Sequence, residues 1–135
     1  MQKYTVVKKA KGKGRGVFAT RRIKKGQIFE IAPAIVLKSH EEKRMRPLVE
    51  LSGHFYQWSA RRVALVLGNA CFYNHSSEPN AHYWFRYVRP DVVFRALRTI
   101  HRGEEITHDY TAGSDREVWF KGAMWGFGEL KRKKK

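Results

Sequence analysis

Cys71-Phe72-Tyr73-Asn74-His75-Ser76-Ser77-Glu78-Pro79-Asn80 sets two asparagines, two serines and a proline in a tight polar turn directly behind an apolar run. Read alone, it is an Asx-type turn carrying a structural histidine, because short polar side chains bond back to nearby backbone. A Ser-His nucleophile pair is disfavoured, since adjacent residues on a strand or turn point apart. Toward the C-terminus, Gly103-Glu104-Glu105-Ile106-Thr107-His108-Asp109-Tyr110 reads as a turn running into a strand. Toward the N-terminus, Gly12-Lys13-Gly14-Arg15-Gly16-Val17-Phe18-Ala19 alternates glycines, which let a backbone approach a ligand and expose its amides. It has neither the Gly-Lys-Ser/Thr ending of a phosphate loop nor the dinucleotide spacing. As an isolated pattern it is a glycine-rich hairpin.

The rest of the chain predicts short strands: Tyr4 to Val7, then a Gly/Lys loop from Lys9 to Gly16, and Val17 to Ala19. Gln27 to Leu37 continues as strand, with Pro33 marking an edge, a break or two shorter strands. Spaced apolar residues predict a helix over Glu41 to Trp58. His82 to Val88 and Val92 to Leu97 pair around Pro90-Asp91, and Glu105 to Tyr110 follows a last turn. The fold class expected is mostly β (α+β), one domain with a short helical insert.

The 135 residues carry 28 Lys+Arg against 12 Asp+Glu, a formal net charge of +16. Residues 1–46 alone hold a net +11, and the chain ends Lys131-Arg132-Lys133-Lys134-Lys135. Such a balance predicts salt-sensitive attraction to polyanions, nucleic acid first, with a solvated basic surface as the alternative. The longest apolar runs, such as Val63 to Leu67, are too short to span a bilayer, and no secretory pattern opens the chain, so a soluble intracellular protein with no membrane partner is expected. The one cysteine, Cys71, excludes an internal disulfide and a cysteine-based zinc site. The six histidines lack metal-ligand spacing, so no metal is expected.

Together and in order, the three glycine, asparagine and glutamate segments resemble the SET-domain family of protein-lysine methyltransferases. The matches are Gly14-Arg15-Gly16, then Asn74, His75, Ser76, Pro79 and Asn80, then Gly103 to Thr107 and Tyr110. The resemblance implies a β-clip-like fold of small curved sheets. Its C-terminal pseudoknot would bring the Asn74-His75 turn beside Tyr110. It divides the chain into a SET domain (1–112), an aromatic segment (113–130) that is a candidate active-site lid, and a basic tail (131–135).

The resemblance also implies an S-adenosylmethionine-dependent enzyme that takes a protein substrate presenting a lysine. Tyr110 would be catalytic, its hydroxyl orienting the amine and methyl group. Gly14, Arg15, Gly16, Asn74 and His75 would hold the cofactor, with Arg15 a candidate partner for its carboxylate. Tyr56, His108 and Tyr110 would line the lysine channel. Ser77 stands where many relatives carry a zinc-ligating Cys, and Cys71 where many carry Arg. His108 replaces a Phe or Tyr that influences methylation degree, so that degree stays open. The substrate is pictured as chromatin-like or otherwise bound to nucleic acid, which the basic N-terminal region and tail would contact. A homodimer is compatible with the sequence. The rival readings are a catalytically inactive SET-like scaffold and a basic nucleic-acid-binding module.

Overall fold

The computed structural model describes residues 3–48 and 54–110. Strands β1 (Thr5–Ala10) and β2 (Gly14–Ala19) form an antiparallel hairpin, in register from Thr5↔Ala19 to Ala10↔Gly14. The expected loop from Lys9 to Gly16 shrinks to the turn at residues 11–13, closed by the Lys13 N–H donating to the Ala10 carbonyl at 3.0 Å. Gly12 and Gly14 both adopt φ near +74°, the left-handed region that side chains resist, so the glycines serve the turn and leave Arg15 and Gly16 in regular strand.

A long strand, β3 (Ile28–Lys38), organises the second sheet. Pro33 divides it without breaking it. Residues from Ile28 to Pro33 pair with β8 (Asp91–Ala96), and those from Ala34 to Lys38 pair with β5 (Arg62–Val66). A residue without an N–H is tolerated at that change of partner, where its carbonyl accepts from the Leu67 N–H at 2.9 Å. With β4 (Phe55–Ser59) and β7 (Ala81–Arg86) added, the order is β4-β5-β3-β8-β7.

The expected helix from Glu41 to Trp58 is corrected. Helix α1 covers only Ser39–Met45, and Phe55 to Ser59 is the antiparallel partner of β5. Glu41 accepts from the Lys38 N–H at 2.9 Å and starts the helix. Tyr56 and Trp58 alternate inward while Phe55 packs on Val63 in a second small cluster. Apolar residues thus cover both faces of β4 and hide its period of two.

The main core lies between the sheets, with Val17, Ile23, Val66, Val92, Phe94, Ile100 and Ile106 fully buried. Burying one such side chain stabilises the fold by roughly 1.5–3 kcal/mol. The core fixes β9 (Glu105–His108) through Ile106, which pairs with Val17 of β2. On its other edge β9 pairs in parallel with β6 (Asn74–His75), giving the order β1-β2-β9-β6. That short parallel contact brings residues 74–75 and 110 together. The segments 113–130 and 131–135, expected as lid and tail, lie outside the described residues.

Candidate functional site around Tyr110

Asn80 holds β9 in place. Its carboxamide nitrogen donates to the Glu105 carbonyl at 2.8 Å, and its oxygen accepts from the Thr107 N–H at 2.9 Å. Ser76 Oγ accepts from the Glu78 N–H at 3.0 Å and shapes the turn between the two asparagines. This half of the Asn-His-Ser segment is therefore scaffold.

Asn74 is also buried, and both of its N–H groups are engaged. Nδ2 donates to the Arg15 carbonyl at 3.0 Å and to Glu105 Oε2 at 2.7 Å. The other carboxylate oxygen, Oε1, takes the Lys13 ammonium at 3.0 Å. A Cβ on Gly16 would lie 2.6 Å from Glu105 Oε2 and 2.8 Å from Asn74 Nδ2, so Gly16 is required by this packing. Arg15 sits over the Phe72 ring with its guanidinium carbon 4.3 Å from the centroid.

His75 Nδ1 accepts from the Tyr110 N–H at 3.0 Å and therefore carries no proton. The 3.8 Å approach of Asp109 Oδ1 to the same nitrogen is accordingly not an ion pair. The Tyr110 hydroxyl donates its single hydrogen to the Tyr73 carbonyl at 2.8 Å, so its oxygen acts as an acceptor, with the His75 backbone among its donors. Burial, and then the Glu105 charge, push the Tyr110 hydroxyl well above the usual tyrosine range.

Tyr56 and His108 form the wall beside Tyr110. The Tyr56 hydroxyl donates to the Ala70 carbonyl at 2.9 Å and lies 3.1 Å from His108 Nε2. Since Tyr56 has only one hydrogen to give, Nε2 of His108 is the donor in that second contact. The Tyr56 and His108 rings stack at 5.4 Å, Tyr83 meets His108 edge-on at 5.0 Å, and His108 lies 5.1 Å from the Tyr110 ring.

Two depressions meet this aromatic group. One is lined by Arg15, Phe72, Tyr73, Asn74 and Tyr110 among others, the second by Ala81, Tyr83, Leu97, His108 and Asp109 among others. The first offers a guanidinium, a carboxamide and aromatic faces. That set suits a ligand with a carboxylate, an ammonium and a purine, as S-adenosylmethionine has. Among the described residues no group of three or more His, Cys, Asp and Glu is placed to hold a metal ion.

The structure thus gathers Gly16, Arg15, Asn74, His75, His108, Tyr56 and Tyr110 in one region, while Gly14 stays at the hairpin turn. Sequence reasoning missed Lys13, Glu105, Tyr73 and Tyr83. Glu105 lies inside the quoted Gly-Glu-Glu segment, but nothing in that pattern pointed it at Asn74.

Comparison with known proteins points to one family. The SET domain family model matches residues 14–111. The chain is 31% identical over 109 residues to a Schizosaccharomyces pombe histone-lysine N-methyltransferase specific for H3 lysine-37, covering 80% of this chain and 71% of the relative. It is 28% identical over 127 residues to the Xenopus laevis histone-lysine N-methyltransferase SUV39H1, covering 84% of this chain but 30% of that protein. A crystal structure of a Plasmodium falciparum protein described as a histone methyltransferase superposes with a TM-score of 0.68 at 29% identity, covering 82% of this chain and 95% of that one.

Proposed function

The chain belongs to the SET-domain family of protein-lysine methyltransferases, and we propose that it transfers the methyl group of S-adenosylmethionine to a lysine of a nucleic-acid-associated protein. One observation carries the reading: the parallel β6–β9 contact sets Tyr110 in the lining of the Asn74 cleft and 5.1 Å from the ring of His108, which lines the second depression.

When bound, the cofactor supplies an already activated methyl group on sulfur, so the protein's part is placement. Arg15 would meet the cofactor carboxylate, and Asn74 its ammonium. Gly14 and Gly16 would let the hairpin lie close, and His75 would hold the Tyr110 backbone. A substrate lysine, with an ordinary pKa of about 10.4, must arrive as the neutral amine. The Tyr56, Tyr83, His108 and Tyr110 rings offer a desolvating wall that disfavours the ammonium form. The Tyr110 oxygen, its hydrogen held by Tyr73, would accept from the amine and aim its lone pair. A tyrosine held above its usual range supplies no phenolate at neutral pH, so Tyr110 orients rather than acting as a base.

The charge supports a polyanion-bound target. Lys38, His40, Lys43, Arg61 and Arg62 line one groove, and Arg21, Arg22 and Lys24 another, with no carboxylate in either lining. Lys38 and Arg62 are direct cross-strand neighbours, a like-charge pairing that costs stability unless an anion relieves it. The test is transfer of labelled methyl from S-adenosylmethionine to lysate proteins, with mass spectrometry of the modified lysines. We expect nuclease digestion to lower the rate on the native target. An unchanged rate would exclude the nucleic-acid role, and no labelled lysine on any protein would exclude the enzyme.

A further inference from the structure

We propose that Glu105 is a positioning residue for cofactor capture: with Lys13 behind it, it fixes the Asn74 carboxamide so that Oδ1 is offered to the cofactor ammonium. This rests on the methyltransferase reading and adds to it two residues outside the cofactor-contact set.

An amide side chain can present either its NH2 or its oxygen, and the surrounding partners choose between them. Both partners of Asn74, the Arg15 carbonyl and the Glu105 carboxylate, are acceptors only, at 3.0 and 2.7 Å. Flipping the amide would set its oxygen against two acceptors at once, so the nitrogen stays inward. With Nδ2 held inward, Oδ1 is the group left for the cleft that Asn74 lines. That group accepts hydrogen bonds, and the cofactor's donor is its methionyl ammonium.

The carboxylate carries most of the choice. Its bond to Asn74 is charge-assisted and shorter than the bond to the Arg15 carbonyl. Without Glu105, one N–H would be left to seek another acceptor and the flip would oppose a single bond. Glu105 is itself fixed by the Lys13 ammonium at 3.0 Å and by the lack of space above Gly16. Lys13 thereby ties the glycine hairpin, the Asn74 strand and the strand leading to Tyr110 into one unit.

The test is calorimetric binding of S-adenosylmethionine and of its analogue with the α-amino group replaced by hydrogen, alongside thermal melting to verify folding. Wild type should prefer the natural cofactor. Glu105→Ala should bind it about tenfold more weakly, the loss of one oriented hydrogen bond to a charged group, while binding the deamino analogue as wild type does. Glu105→Asp, which keeps the charge but withdraws the oxygen, should show the same selective loss if the alanine variant does not fold. Glu105→Gln retains an acceptor oxygen and should bind within about threefold of wild type. Equal losses for both molecules, or no loss for either, would overturn the positioning role and leave the enzyme reading standing. Failure of wild type to bind S-adenosylmethionine would overturn both.

Discussion

Raising the pH should unfold this protein through three tyrosines that keep their protons only while folded. The hydroxyls of Tyr56, Tyr73 and Tyr110 donate to the Ala70 carbonyl, the Glu30 carboxylate and the Tyr73 carbonyl. Burial is the first cause that pushes all three above the ordinary value; for Tyr73 the Glu30 charge adds to it, and for Tyr110 the Glu105 charge. In the unfolded chain the same groups release their protons near pH 10. Above that pH the unfolded state binds fewer protons than the folded one, so the unfolding free energy falls as pH rises. Each group contributes a slope of about 1.4 kcal/mol per pH unit, and the three together about 4. Below the unfolded value the contribution is complete and flat, so stability from these groups should not change between about pH 7 and 9. A domain with about 5–15 kcal/mol to lose would then unfold cooperatively within about one to four pH units above 10. Tyrosinate absorbance and circular dichroism, followed on one titration, should show these tyrosines ionising together with loss of structure. If all six tyrosines titrate reversibly near pH 10 with the dichroism intact, the buried-donor assignment is wrong. The same reasoning predicts that methyl transfer rises toward pH 10, as substrate lysine deprotonates, with no falling limb from Tyr110 in that range.

Tyr110→Phe removes the oxygen offered to the amine, so single-turnover transfer at saturating cofactor should fall about 100-fold while calorimetric cofactor affinity stays near wild type. It should cost the fold only about 1 kcal/mol for the lost bond to the Tyr73 carbonyl, measured by denaturant titration, and a wild-type rate would remove Tyr110 from the chemistry. Gly16→Ala forces a methyl group against Glu105, Asn74 and Ala10, and should destabilise by about 1–3 kcal/mol while weakening cofactor binding. Melting and calorimetry unchanged from wild type would mean that the hairpin can move aside.

The hairpins β1–β2 and β7–β8 were legible because turn residues separate two extended runs that pair with each other. The β4–β5 hairpin was not. With Tyr56 and Trp58 on one face and Phe55 covered on the other, β4 carries no clean alternation, and the polar stretch before it imitates an amphipathic helix. The β6–β9 contact is two residues long, links segments more than thirty residues apart, and is parallel, so no local pattern announces it. It became an expectation only through resemblance of whole motifs. Asn74, His75 and Tyr110 were named that way, and the fold brings them together. Lys13 and Glu105 meet across 92 positions, a contact that single-chain patterning does not encode.

The two asparagines of the quoted segment show what hydrogen-bond accounting adds to a motif. Both are buried, and the sequence treats them alike. Asn80 spends its donor end on the Glu105 carbonyl and its acceptor end on the Thr107 N–H, bridging β9 as a neighbouring strand would. Both ends of that amide are anchored to β9 backbone, so its work is to hold β9 in register. Asn74 spends only its donor end, on the Arg15 carbonyl and Glu105. Its acceptor end is what a donor on a ligand in the cleft would complete. One asparagine therefore fixes the strand that carries Tyr110, and the other faces the cleft that Tyr110 serves.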